Sequence, residues 1–131
     1  MTAHENAELL RLGVEALNRR DTEAFKALLA ADAEIVPLRG AVDGTVYRGP
    51  DAADRFFAGL NESWERLDLE IDEAHEGEDW ILAFGPFRAR GAGSGVDVEL
   101  HMGMVLRSRD GAVTLCRVYT DRAEALEAVG L

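Results

Sequence analysis

Three side chains of this sequence are candidates for acid–base chemistry. Asp43 and Tyr47 fall in a glycine-containing stretch, Arg39 to Gly49, and His101 falls within a run that alternates apolar and polar residues. A carboxylate or an imidazole can exchange a proton with a substrate, and a phenol can donate a hydrogen bond to a ligand oxygen. The candidate catalytic residues are therefore Tyr47, Asp43 and His101.

A structural role competes with the chemical role of each candidate. His101 is also explained as a surface or interface residue, hydrogen-bonded across the strand to Tyr119. Tyr47 is also explained as a residue that packs over Phe56, and Asp43 as a solvated loop carboxylate. A further acid, Asp121, precedes Arg-Ala-Glu, and helix capping explains it better than a place at the rim of a site.

Metal and thiol chemistry are not indicated. The acidic run from Glu70 to Asp79, with His75 inside it, matches neither a calcium loop nor a zinc motif. Cys116 is the single cysteine, which excludes an internal disulfide and a cysteine-cluster metal site. Arg88, Arg90 and Arg117 could bind an anion, or could form salt bridges to Glu99 and Asp97 in a dimer interface. We expect no metal and no cofactor.

The elements that must position these residues change character along the chain. One aromatic stripe, Ala53, Phe56, Phe57, Leu60 and Trp64, has helical spacing after a helix start at Gly49-Pro50-Asp51. From Leu67 the period changes to two, which indicates strands. The expected elements are a helix capped by Thr2 and Glu5, a helix capped by Asp21, a strand at Ala33–Leu38, an irregular loop to Gly49, the aromatic helix, strands at Leu67–Ile71 and Asp79–Arg90, a hairpin at Val96–Asp121, and a closing helix. Early helices and late consecutive strands predict an α+β fold.

The turn of the final hairpin, Arg109-Asp110-Gly111, allows two registers. A two-residue loop places Met104 opposite Arg117, whereas a three-residue loop with a bulge places Met104 opposite Cys116. We favour the second register, because it separates two faces cleanly. Its apolar face holds Leu100, Met102, Met104, Leu106, Cys116 and Val118, and its mixed face holds Glu99, His101, Arg117 and Tyr119.

The bulk properties limit the class of protein. A length of 131 residues suits one domain spanning residues 1–131, and a formal net charge of -11 argues against nucleic acid or an anionic membrane as a partner. No signal-peptide pattern and no membrane-length apolar run occurs, so we expect a cytoplasmic protein.

Four segments carry a resemblance to a known family. They read N-R-R-D-T-E-A-F-K-A-L-L-A-A-D-A, Y-R-G-P-D-A, V-L-R-S-R-D-G-A-V and Y-T-D-R-A-E-A-L-E-A-V-G-L. The chain thereby resembles the SnoaL-like branch of the nuclear-transport-factor-2-like superfamily over nearly its whole length. The resemblance implies a cone in which a strongly curved, mostly antiparallel sheet wraps around a long helix. It also implies an apolar pocket at one end and a homodimer formed through the outer sheet face.

The resemblance does not imply ketosteroid isomerase chemistry. That machinery uses an aspartate base with a tyrosine and a protonated acid. Matched to this sequence, the base position falls on Pro37, the tyrosine on Gly13, and the acid on Gly103 or Met104. None of these residues can exchange a proton.

Two functional hypotheses remain open at the level of sequence. One is a binder of a small hydrophobic molecule that also acts as a cofactor-free isomerase, cyclase or dehydratase on a carbonyl or polycyclic substrate. The other is a dimeric binding or interaction module without catalysis. A filled core would explain the apolar residues as well, but the cone of the family favours a pocket. The expected ligand-binding residues are Tyr47, Phe56, Leu60, Trp64, Phe87, Met102, Met104, Val118 and Thr120.

Overall fold

A computed structural model describes residues 3–38 and 40–131 of the chain. The elements in chain order are α1 (Ala3–Arg19), α2 (Thr22–Lys26), β1 (Leu29–Val36), α3 (Gly40–Asp43), β2 (Tyr47–Arg48), α4 (Ala52–Ser63), β3 (Trp64–Leu69), β4 (Glu73–Glu76), β5 (Trp80–Gly91), β6 (Asp97–Arg109), β7 (Ala112–Tyr119) and α5 (Arg122–Ala128). The strands form one sheet in the order β2-β1-β7-β6-β5-β3, and β4 also pairs with β5. The β1–β7 pair is parallel and the other pairs are antiparallel. The predicted α+β class, with a strongly curved and mostly antiparallel sheet, is confirmed.

Several element boundaries differ from the sequence prediction. Strand β1 begins at Leu29 rather than Ala33, because Leu29 already pairs with Val113 of β7. The predicted loop contains α3 and β2. The unpredicted strand β4 precedes the turn at residues 77–79 that leads into β5, so five strands rather than four follow α4. Asp21 and Asp121 cap α2 and α5 as predicted, each accepting a backbone N–H at 3.1 Å. The predicted capping residue Thr2 lies outside the described residues.

The two faces of the sheet are covered by different helices. The inner face packs against α1, α2 and α4, and its buried side chains include Ile81, Ala83 and Leu106. The outer face packs against α5 through Leu82, Phe84 and Val105. At Gly103 on the outer face, a β-carbon would lie 2.9 Å from the Phe84 ring and 3.2 Å from Ala125. A glycine there lets α5 approach the sheet closely.

The final hairpin adopts neither predicted register. Asp110 and Gly111 both have positive φ, 53° and 83°, which is the type I′ two-residue turn that Asp-Gly favours. Arg109 accordingly pairs with Ala112, but Arg107 pairs with Leu115, so Thr114 is a bulge. The bulge places Met104 opposite Val118 and Leu106 opposite Cys116. The favoured pairing of Met104 with Cys116 is therefore wrong by two residues. Because side chains alternate between the two faces of a strand, a shift of two residues leaves the predicted division of the faces unchanged.

Two close contacts, one at Asn6 and one at Gly85, hold the sheet to its surroundings. Asn6 of α1 is 2% exposed. Its amide nitrogen donates to the carbonyl oxygens of Gly77 (3.2 Å) and Glu78 (3.1 Å), and its side-chain oxygen accepts from the Ser108 hydroxyl at 2.6 Å. The connection between β3 and β4 crosses directly over Gly85, where the backbone N–H of Glu70 donates to the Pro86 carbonyl at 3.1 Å. A β-carbon at Gly85 would lie 1.7 Å from the Glu70 carbonyl oxygen.

An ion pair fastens α5 to β4. The Arg122 guanidinium donates to both carboxylate oxygens of Glu73, at 3.1 and 2.6 Å, and lies 4.3 Å from the centre of the Phe84 ring. His75 lies 2.7 Å from the same carboxylate. Hydrogen bonds from Arg122 and then from His75 lower the pKa of Glu73 from its usual 4.5 to about 2.

This pKa shift predicts an acid-sensitive attachment of α5. Since the pKa of Glu73 is lower in the folded state than in the unfolded state, its contribution to stability is complete above about pH 4.5 and is lost as the pH falls toward about 2. Glu73→Gln should therefore lower the thermal midpoint at pH 7 and make no difference near pH 2. The control is Glu76→Gln, an exposed carboxylate on the same strand. A Glu73→Gln midpoint that matches wild type at pH 7 would contradict the prediction.

Candidate functional site: an apolar cavity inside the cone

A cavity of about 180 Å³ lies between α1, α4 and the inner face of the sheet. It exists because α4 places Phe56 and Leu60 along one stripe, facing the inward side chains of β5, β6 and β7. Trp64, which was predicted to continue this stripe, is instead the first residue of β3 and lines the cavity from there. Strand alternation brings Phe87, Met102, Met104 and Val118 to the same face. Eight of the nine expected ligand-binding residues line the cavity: Tyr47, Phe56, Leu60, Trp64, Phe87, Met102, Met104 and Val118. That they bind a ligand stays a prediction.

Thr120 is the exception among the expected residues. It is exposed, follows the end of β7 and is not part of the lining. The prediction placed Thr120 opposite Leu100 in a register that the bulge at Thr114 excludes. In the structure the ladder between β6 and β7 ends at the pair Gly103–Tyr119.

Twelve further described residues line the cavity and were not among the expected ligand-binding residues, although Leu106 and Cys116 were predicted to lie on the same hairpin face: Leu10, Gly13, Val14, Leu17, Phe25, Pro37, Leu38, Gly59, Ser63, Leu69, Leu106 and Cys116. The contribution of α1 had a sequence signal, because Leu10, Val14 and Leu17 recur at helical spacing. The sequence does not indicate that this stripe faces the cavity, because that depends on how α1 crosses the sheet.

The three candidate catalytic residues are not brought together. Tyr47 is 8% exposed and lines the cavity; its ring centre is 6.5 Å from that of Phe56, and the Arg55 guanidinium lies 5.6 Å from it. The carboxylate of Asp43 is exposed and accepts from Thr45, from the backbone N–H at 2.9 Å and from the hydroxyl at 2.6 Å. Asp43 is not part of the lining.

His101 lies on the outer face of β6, away from the cavity. Its ring nitrogen Nε2 is 3.3 Å from the Asp72 carboxylate, and its cross-strand neighbour is Pro86 on β5. The predicted pairing of His101 with Tyr119 is wrong, because Tyr119 lies opposite Gly103. A general acid or base at His101 could not reach a molecule inside the cavity.

The cavity offers little proton chemistry. Among its described lining residues, the titratable side chains are Tyr47 and Cys116, and none is a carboxylate, histidine, lysine or arginine. Burial raises the pKa of the Cys116 thiol from 9.0 to about 12, so the thiol is protonated at neutral pH, and it donates to the sulfur of Met104 at 3.8 Å. Pro37 and Gly13, which the sequence comparison matched to the base and tyrosine of ketosteroid isomerase, both line the cavity. Of the two residues matched to its acid, Met104 lines the cavity and Gly103 faces α5.

Residues 3–38 and 40–131 hold no metal site and no membrane-spanning helix. No group of three or more histidine, cysteine, aspartate or glutamate side chains could hold a metal ion there. In this part of the chain no helix combines the length and the apolar character needed to cross a membrane. Arg88 pairs with Glu99 at 3.0 Å and Arg90 with Asp97 at 2.8 Å within the chain, so these ion pairs need no second subunit.

Solved structures share this fold over almost the whole chain. An NTF2-like protein of unknown function from Burkholderia pseudomallei has a TM-score of 0.79 and 24% identity, with 97% of this chain and 98% of that chain covered. A Xanthomonas campestris pv. campestris protein, provisionally assigned as a polyketide cyclase, has a TM-score of 0.78 and 22% identity, with 98% of each chain covered. A Mycobacterium tuberculosis protein in complex with estradiol-17β-hemisuccinate has a TM-score of 0.76 and 20% identity, with 91% of this chain and 95% of that chain covered.

At these identities the structural likeness establishes the fold. Comparison with proteins of curated function finds no match. A family profile described as the SnoaL-like domain matches residues 10–116, which is most of the sequence. The chain therefore belongs to the SnoaL-like domain family.

Proposed function

We propose that this protein binds a small, largely apolar molecule inside the cone. The observation that carries the proposal is the cavity of about 180 Å³, whose described lining residues are almost all aliphatic, aromatic or sulfur-containing. Concave apolar cavities with few polar groups are typical small-molecule sites. The Mycobacterium tuberculosis neighbour is in complex with a steroid ester, which supports the binding of a small hydrophobic molecule by a protein of this fold.

Binding without catalysis is the form of this function that the geometry supports best. Tyr47 could orient a ligand oxygen, but the protonated thiol of Cys116 is no nucleophile, and the described lining supplies no base. The alternative is a cofactor-free isomerase, cyclase or dehydratase, and the Xanthomonas campestris neighbour assigned as a polyketide cyclase favours it. Turnover of a carbonyl compound that is lost in Tyr47→Phe would support the alternative.

Trp64 provides a direct test of binding. The chain has two tryptophans, of which Trp64 lines the cavity and Trp80 does not. In a Trp80→Phe background, a neutral aromatic such as 2-naphthol should change the emission of Trp64 saturably and raise the thermal midpoint. If neither signal changes with any neutral apolar probe, the proposed function is wrong.

Filling the cavity should abolish binding without unfolding the chain. Gly13 lines the cavity, and a β-carbon there would lie 3.9 Å from its nearest neighbour, Leu28. Gly13→Leu therefore extends a side chain from α1 toward the ligand space while removing a helical glycine. Ala58→Leu, which adds the same side chain at an exposed position of α4, is the matched control and should bind normally.

We also propose homodimerisation through the outer sheet face. The part of this face that α5 leaves open carries exposed charges of both signs, including Arg88, Glu99, Arg90 and Asp97. Such a pattern is complementary to its own two-fold copy. Light scattering coupled to gel filtration should give a dimer that dissociates in Arg88→Glu. A wild-type monomer at micromolar concentration would contradict this proposal.

A further inference from the structure

We infer that the ligand of the cavity is a neutral aromatic molecule of one or two fused rings, and that Phe56 sets this size limit. The inference rests on the proposed function and narrows it to a class of ligand. Three features of the cavity carry it: its dimensions, the chemistry of its wall, and the way in which its buried end is closed.

The dimensions exclude large ligands. Sites for drug-sized molecules have volumes of roughly 300–1,000 Å³, whereas an apolar cavity of about 150 Å³ binds benzene. The present volume of about 180 Å³ is close to the lower figure. Along α4, the lining extends from Phe56 to Ser63, about 10 Å at the rise of an α-helix. A two-ring aromatic fits this length, and a four-ring steroid does not.

The wall selects an aromatic ligand without charge. Eight of its 20 described lining residues carry an aromatic ring or a sulfur atom, among them Phe56, Trp64, Phe87, Met102, Met104 and Cys116. Thioethers and ring edges make favourable contacts with aromatic faces that saturated hydrocarbons cannot match. The described lining residues include no charged group to compensate a ligand charge taken out of water.

Phe56 closes the buried end of the cavity. It is itself buried, and its ring centre lies 5.8 Å from that of Phe25 and 6.5 Å from that of Tyr47. At the other end Leu60 and Trp64 are half-buried and Ser63 is exposed. Phe57, the next residue, is also buried in the core but is not part of the lining. Truncating Phe56 should therefore extend the cavity, whereas truncating Phe57 should leave the ligand space unchanged.

The test compares four probes on the Trp80→Phe protein: 2-naphthol, its saturated analogue decahydro-2-naphthol, the anion 2-naphthoate, and estradiol. The dissociation constant for 2-naphthol should be at least about 3-fold lower than for decahydro-2-naphthol, since aromatic contacts add to area burial. It should be at least about 10-fold lower than for 2-naphthoate, since a buried charge has no partner. Estradiol should not bind measurably. If the protein without a substitution at Phe56 binds estradiol as tightly as 2-naphthol, the inference is wrong, whereas the proposed function still holds.

The role of Phe56 is tested by a gain of binding. Phe56→Ala should acquire saturable binding of estradiol, and Phe57→Ala should not, although both remove a buried ring from α4. Phe56→Leu is the milder variant if truncation to alanine prevents folding, and it should shift the ratio of estradiol to 2-naphthol affinity in the same direction. Identical selectivity in the Phe56 and Phe57 variants would overturn the assignment. If no probe binds any variant, the proposed function fails together with the inference.

Discussion

Replacing Gly85 with alanine is expected to lower the free energy of unfolding by about 3 kcal/mol or more, or to prevent folding altogether. A β-carbon at this position would lie 1.7 Å from the Glu70 carbonyl oxygen and 2.7 Å from its carbon. These are backbone atoms, held by the hydrogen bonds from Glu70 to Pro86 and from Asp72 to Phe84, so no side-chain rotation relieves the clash. Denaturant unfolding of purified protein, or its soluble yield, measures the effect.

Gly13→Ala is the matched control for Gly85→Ala. Gly13 lies within α1, and its added methyl group would meet only Leu28, at 3.9 Å. Alanine in a helix is favoured over glycine by about 1 kcal/mol, so this variant should be as stable as wild type or more stable. Equal loss of stability in the two variants would show that the crossing over Gly85 is less close than described.

Replacing Asn6 with alanine is expected to lower the free energy of unfolding by about 2–3 kcal/mol. The substitution leaves the Gly77 and Glu78 carbonyls and the Ser108 hydroxyl without the partner that they have where α1 meets β6 and the turn between β4 and β5. Ser108→Ala removes one of these hydrogen bonds and should cost less, about 1 kcal/mol. Urea unfolding of both variants gives the comparison.

The double variant Asn6→Ala, Ser108→Ala shows whether the hydrogen bonds of these two residues stabilise the fold jointly or independently. Because both residues share one hydrogen bond, the loss in the double variant should be smaller than the sum of the two single losses. Strict additivity would mean that the hydrogen bond of 2.6 Å between the two side chains contributes nothing to stability.

The sequence predicted what depends on local periodicity. The stripe of α4 correctly identified Phe56 and Leu60 as lining residues, and the alternation of β6 identified Met102 and Met104, because each pattern fixes which side chains share a face. The predicted division of the hairpin faces is confirmed for Leu106, Cys116 and Val118, although the pairing was wrong. Asp-Gly indicates the type of turn, but nothing nearby in the chain indicates a bulge at Thr114.

The features that the sequence missed depend on contacts between distant segments. In the sequence Gly85 is an ordinary glycine of a strand, and only the structure shows the close contact with the Glu70 backbone. Asn6 is likewise an ordinary polar residue of a helix, and only the structure shows its hydrogen bond with Ser108. The direction of the α1 stripe depends likewise on tertiary packing. The prediction of His101 opposite Tyr119 follows from the favoured three-residue loop, whereas the chain has a two-residue turn and a bulge at Thr114 that shifts every later pair of the ladder.

The bulge at Thr114 has an evolutionary consequence. A chain without Thr114 could keep Arg107 opposite Leu115 and Leu106 opposite Cys116 in a regular ladder. The hairpin can therefore lose one residue at this point while the same side chains continue to face the cavity. When β7 is aligned with the corresponding strand of a protein without the bulge, counting residues from the turn aligns Arg117 with the position that Val118 occupies in space. Aligning residues by the face of the sheet on which they lie avoids this error, which would assign the charge of Arg117 to the apolar wall of the cavity.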